Sequence, residues 1–259
     1  MLTATLLYNV ITRDYPTSLA NAAKQPTAER STKDFLANIG KITSAKQLVG
    51  NSQLYNYVMT AFGLQDMAYA KALITKVLNG GTAASGLAQK LHDPRYTALV
   101  NTFNFAVTGA ATTSDTTAMQ KVVSNYNEQT LETTTGQQNQ GAQQALYFKR
   151  MAPNIKDVYG ILADRTVLQV VETAFGLPAT LSLQNIDTQA KEISQLLDVS
   201  KLQDPTYLNK FLERFTATYD AVNPSGGMSS TPTNALLVTS TGISSSLLLS
   251  LANLKRGGS

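Results

Sequence analysis

The pentapeptide Thr60-Ala61-Phe62-Gly63-Leu64 recurs unchanged as Thr173-Ala174-Phe175-Gly176-Leu177, and a second landmark follows each copy. Leu91-His92-Asp93-Pro94-Arg95-Tyr96 is matched by Leu202-Gln203-Asp204-Pro205-Thr206-Tyr207. The offset is 113 residues at the first landmark and 111 at the second. Two landmarks in one order constrain the fold more than either alone, because they call for one supersecondary unit built twice. The same 113-residue shift lays Phe35 on Phe148, Ile42 on Ile155, Leu48 on Ile161, Leu54 on Val167 and Val58 on Val171. The sequence therefore predicts two helical repeats, 33–107 and 146–220.

The matched apolar positions have helical spacing. Leu54, Val58 and Ala61 lie at i, i+4 and i+7, as do Val167, Val171 and Ala174. Asn51 and Asp164 stand where an N-cap accepts the first free amides. Gly63 and Gly176 stand where a helix ends in a left-handed residue, with Phe62 and Phe175 closing the buried face. Asp93-Pro94 and Asp204-Pro205 each place a capping carboxylate before a proline at the first helical position. These aspartates read as caps, not as a catalytic pair. Further helices are expected near 66–78 and 187–197. No alternating strand pattern with hairpin turns occurs. The expected fold is all-α: two tandem multi-helix bundles with apolar terminal helices.

The remaining segments divide by composition. Residues 108–145 are rich in Thr, Gln and Asn, with a weak stripe of Met119, Val122, Val123 and Tyr126. They read as a long polar connecting helix running on into Phe148, or as a disordered linker. Residues 221–234 have linker composition. Residues 235–259 form a C-terminal helical arm with Ile243, Leu247, Leu251 and Leu254 on one face. Residues 1–32 form an N-terminal arm, joined through Pro16 and Pro26, with Leu2, Leu6 and Val10 as a seam and Leu7 and Ile11 beside it. Helices this short are marginal alone and must bury those seams, either on their own body or against each other or neighbouring subunits. If they are assembly arms, deleting 1–12 or 235–259 leaves a folded body that no longer assembles.

The composition supplies little chemistry. There is no Cys, and His92 is the only histidine, so neither a thiolate or imidazole metal set nor a Ser-His triad is available beyond that one residue. No catalytic residue, cofactor, metal or small-molecule substrate is expected. His92, next to a cap, reads as a surface residue. The net charge of +4 includes no basic run, so nucleic acid is not expected as a partner. Residues 235–254 are uncharged, but their hydroxyl and amide load speaks against a membrane span. The segment MLTATLLYNV lacks the basic start of a cleavable signal peptide.

Together, the two "TAFGL" and two "DPxY" landmarks and the closing "SLLLSLANLKRGGS" resemble the family known as domain of unknown function 1217. The resemblance runs from about Thr17 to Asp220 and into the C-terminal tail. It implies an all-helical fold, no established enzymatic activity, and an association with flagellar genes of alphaproteobacteria. Flagellar axial proteins leave the cell without a cleaved signal, and they are poor in Cys and Trp and rich in Ser, Thr, Asn and Gln. The resemblance therefore implies an exported structural protein of the flagellum whose partners are itself or other flagellar proteins. The alternative is a cytoplasmic export chaperone or assembly factor holding a helical client.

Overall fold

In this computed structural model residues 2–224 are described, and every regular element among them is helical. The first three helices are α1 (Ala4–Arg13), α2 (Tyr15–Ala23) and α3 (Pro26–Asn38). The first half continues through α4 (Ala45–Gly50), α5 (Ser52–Ala61), α6 (Lys71–Gly80), α7 (Leu87–Lys90) and α8 (Pro94–Thr102). After α9 (Phe105–Thr108) and α10 (Ala111–Ser114), the long α11 (Thr116–Gly136) leads into α12 (Gln140–Met151). The second half contains α13 (Val158–Leu162), α14 (Arg165–Phe175), α15 (Ile186–Leu196) and α16 (Pro205–Val222).

The recurrent pentapeptide closes a helix in both places by the same hydrogen bonds. Gly63 and Gly176 have φ of 68° and 63°. The Leu64 amide donates to the Met59 carbonyl at 2.8 Å, and the Leu177 amide to the Glu172 carbonyl at 2.9 Å. Gly63 and Gly176 donate to the carbonyls of Thr60 and Thr173. This is the Schellman pattern, in which a left-handed residue turns two amides back onto the last helical carbonyls. The second landmark begins a helix in both places. Asp93 accepts from the Arg95 amide and Asp204 from the Thr206 amide, at 2.9 and 2.8 Å, ahead of Pro94 and Pro205.

Other caps fall in matching order. Ser44 and Asp157 start α4 and α13, and Asn51 and Asp164 start α5 and α14. A 3₁₀ turn precedes each set, at Ile39–Lys41 and Ala152–Asn154. The halves also differ: α8 has 9 residues and α16 has 18.

Two apolar cores result. One gathers Phe35, Leu54, Val58, Phe62, Leu99 and Phe103 of the first half. The other gathers Phe148, Val167, Val171, Phe211 and Phe215 of the second. The helix α11 serves both, placing Met119 and Val122 in the first and Leu131 in the second. At 1.5 Å per residue it is roughly 30 Å long, enough to reach across both. The 108–145 segment is thus helical over most of its length. It is not continuous into Phe148: the chain turns at Gln137–Asn139, and Asn139 caps α12 anew.

Of the two alternatives for the N-terminal segment, docking on its own body is the one that Leu7 and Ile11 follow. Pro16 and Pro26 lie at the starts of α2 and α3, where they begin helices instead of linking flexibly. Helix α1 buries Ala4, Leu7, Tyr8 and Ile11, and Leu7, Tyr8 and Ile11 belong to the second-half core. Removing residues 1–12 therefore opens that core, contrary to the expectation that the body folds without them. The C-terminal arm and its seam, Ile243, Leu247, Leu251 and Leu254, lie outside the described residues, as do residues 225–234 of the expected linker, whose first two residues, Ala221 and Val222, instead end α16.

Two substitutions measure these assignments by urea unfolding. Leu7→Ala should cost about 2–4 kcal/mol, as for a large side chain removed from a packed core. Gly176→Ala, with open space around its Cα, should cost only the left-handed strain, about 1–2 kcal/mol.

Candidate functional site

Two features stand out on this scaffold: a buried polar network between the two cores and an apolar edge on α1.

The network begins at Arg95 in the first turn of α8. Its Nε and Nη2 donate to the Asp93 carboxylate at 2.8–3.1 Å, and its Nη1 donates to the Gly63 carbonyl at 2.8 Å. The Asp164 carboxylate of the second half lies 3.6 Å from Nε. Asp164 is buried. One oxygen caps α14 through the amides of Thr166 and Val167, and the other accepts from the Tyr147 hydroxyl at 2.5 Å. The Tyr147 ring lies under the guanidinium of Arg150, 5.1 Å away. Arg150 in turn grips Glu132 of α11 through two hydrogen bonds, at 2.6 and 2.9 Å, and donates to the Gln129 amide oxygen at 2.8 Å. One chain of charge-assisted contacts thus joins α8, α14, α12 and α11.

The electrostatics favour the Arg95 cation and the neutral Tyr147 phenol. Burial works against the Arg95 cation, but the hydrogen bonds and charge of Asp93, with the Asp164 charge, hold its pKa above the ordinary guanidinium value. Burial, reinforced by the Asp164 charge, pushes the Tyr147 phenol far up, so it remains a neutral donor. Burial likewise raises the Glu132 carboxyl, and Arg150 opposes that shift. The network supplies fixed partners for buried charges and the bonds that hold the two cores together.

The helix ends of the recurrent pentapeptide are also served by arginines. Arg95 takes the Gly63 carbonyl, and Arg214 of α16 donates to the Ala174 carbonyl at 2.7 Å while lying over the Phe175 ring. Each places a cation where the helix macrodipole is negative. Of the repeat landmarks, Phe62 and Asp93 are buried, Phe175 is half-buried and Asp204 is exposed. His92 is exposed at φ 54° and its ring contacts the Lys90 carbonyl. Among the described residues no group of three or more His, Asp or Glu could hold a metal ion, and no helix is long and apolar enough to cross a membrane.

The second feature divides the N-terminal seam. Leu7 and Ile11 face the core, whereas Leu2, Leu6 and Val10 are 46%, 50% and 58% exposed, one helical turn apart. Leu6 and Val10 lie on α1 and Leu2 just ahead of its N-cap Thr3, and the helix is fixed. The Asp220 carboxylate accepts from the amides of Ala4 and Thr5 and from the Thr5 hydroxyl at 2.6–2.9 Å, an anion on a helix N-terminus. Asn139 donates to the Leu2 carbonyl.

The model of the family described as "Protein of unknown function (DUF1217)" matches residues 61–208. The chain belongs to that family. The matched region takes in the buried network and both landmarks, and stops short of α1 and of the Thr17–Asp220 span of the resemblance. The chain is also similar to protein AGR_C_984 from Agrobacterium tumefaciens, known from its crystal structure. The two are 39% identical over 86% of this chain and 98% of that one, with a TM-score of 0.77. No protein of curated function matches the chain in sequence.

The caps are legible in the sequence and the network is not. The signal available lay where the aligned positions differ: Asp164 stands opposite Asn51, and Arg95 opposite Thr206. Arg95→Met should cost about 3–5 kcal/mol, because it leaves two buried carboxylates short of their cation. Asp204→Ala, which removes only an exposed cap, should cost about 1 kcal/mol. Denaturant midpoints with unchanged slopes check both.

Proposed function

We propose that this protein is a non-enzymatic structural component of the bacterial flagellum, exported without a cleaved signal peptide and assembled through its terminal helices. Its partners are copies of itself or other flagellar proteins. The observation that carries the reading is the exposed apolar edge of Leu6 and Val10, continued by Leu2 just ahead of the N-cap Thr3, on a helix whose other face is locked into the core and whose N-terminus is bonded to Asp220. An apolar edge held rigid binds without first losing conformational freedom. Burying three half-exposed side chains contributes about 1 kcal/mol each, a modest gain that multiplies along an assembly. Two residues beyond Asp220, Val222 is exposed as well. The family resemblance and the lack of Cys and Trp support the same reading.

This mechanism departs from a detachable arm: assembly uses the outward face of α1 and leaves Leu7 and Ile11 in the fold. The test substitutes the full chain at Leu6→Ser and Val10→Ser. Circular dichroism and thermal melting should match the parent, while the variant should no longer co-purify with isolated flagella. A parent protein that stays in the cytosol when flagella are isolated, or a double variant that assembles like the parent, overturns the reading.

A further inference from the structure

Beside the buried network the surface opens into a cleft of about 620 Å³, within the size range of ligand sites. Glutamines dominate its wall: Gln65, Gln129, Gln140, Gln143, Gln144 and Gln169 converge there from α11, α12, α14 and the turn after α5. Gln144 alone is out of balance. It is 5% exposed, and its Nε2 donates to the Gln169 amide oxygen at 3.0 Å. Its own Oε1 is buried and has no hydrogen-bond partner among the described residues. An unpaired buried acceptor costs free energy, and one beneath the wall of an open polar cleft calls for a donor from outside.

The chemistry of that donor follows from the geometry of a primary carboxamide, which carries its acceptor and its donors side by side. Gln169 supplies Gln144 with the acceptor half only. Gln169 is exposed, so its side chain is able to swing away. An incoming carboxamide in its place would accept from Nε2 and donate to Oε1 together. We propose that this cleft binds an extended polypeptide segment through an Asn or Gln side chain, whose carboxamide displaces that of Gln169 and pairs doubly with Gln144. The surrounding glutamines offer both donors and acceptors to the segment's peptide groups, apart from the Gln129 oxygen already taken by Arg150. A saccharide is disfavoured because the aromatic ring in the wall, Tyr147, is stacked by Arg150 and has its hydroxyl committed to Asp164.

The test is a titration of the full-length protein, labelled with ¹⁵N at glutamine, followed through its side-chain amide resonances. The probe is a blocked triglutamine peptide, with a blocked trialanine peptide and maltotriose as comparators. Triglutamine should shift the Gln144 and Gln169 resonances saturably. Gln144→Leu should weaken binding about tenfold, the loss expected of a pair of hydrogen bonds. Gln169→Ala, at an exposed site, should bind at least as tightly as the parent because the internal competitor is gone. Should Gln144→Leu not fold, the Gln169→Ala variant and the comparators decide. The proposal is overturned by no shift with triglutamine, by an equal response to trialanine or maltotriose, or by weaker binding in Gln169→Ala.

Discussion

The two halves of this molecule meet at Arg95, and much of the arrangement depends on how that cation is satisfied. A buried guanidinium must saturate its donors or destabilise the fold. Here the donors are divided between a carboxylate two residues earlier, Asp93, and the carbonyl that ends α5, Gly63, with the Asp164 carboxylate beside them. One residue therefore fixes the start of α8, the end of α5 and the first turn of α14. The planar fork of arginine suits this task because its donors point along separate, fixed directions, which a lysine ammonium does not reproduce. From Asp164 the same logic runs through Tyr147 to Arg150 and Glu132, so the C-terminal half of α11 buries the polar Gln129 and Glu132 on either side of Leu131.

That division explains how much of the fold could be read in advance. Caps are local: Asp93-Pro94, Asn51 and the Phe-Gly steps set their hydrogen bonds within a few residues, and each does in three dimensions what its spacing implies. The network is not local. Glu132 and Arg150 lie on successive antiparallel helices, and Arg95 and Asp164 lie in different halves; no window of sequence holds both partners. The feeble amphipathicity of α11 has the same cause. A helix that buries Met119 and Val122 in one core and a single Leu131 among Gln129, Glu132 and Thr135 at the other shows no continuous apolar stripe, and that pattern reads as a linker.

The N-terminal seam, for which the sequence leaves two alternatives, shows the same limit. Leu2, Leu6 and Val10 share a helical stripe, and so do Ala4, Leu7 and Ile11, and spacing alone does not say which one faces inward. The smaller residue decides it: Ala4 lets α1 approach α12 and α16 closely, and Gly141 of α12 is packed so closely by the Tyr219 ring of α16 that even a Cβ would collide with it. Small side chains thus let these helices approach closely at Ala4 and Gly141, Leu7, Tyr8 and Ile11 fill the core beside them, and Leu2, Leu6 and Val10 are left outside.

A helix with a locked inner face and an apolar outer face is a costly thing to display, since soluble proteins gain nothing from an exposed leucine stripe on an otherwise polar surface. The cost is met by rigidity. Asp220 ties the first turn of α1 to the end of α16 with a charged acceptor for its first two amides, which holds the edge against fraying. The glutamine-lined cleft follows the opposite principle, keeping an exposed side chain, Gln169, over an acceptor it does not satisfy. The apolar edge is preformed and permanent, suited to a partner that stays. In the cleft a replaceable side chain, Gln169, occupies Gln144, an arrangement suited to a partner that exchanges. The same helical frame supports both because its ion-pair network fixes the backbone beneath them and leaves the outer side chains free to differ.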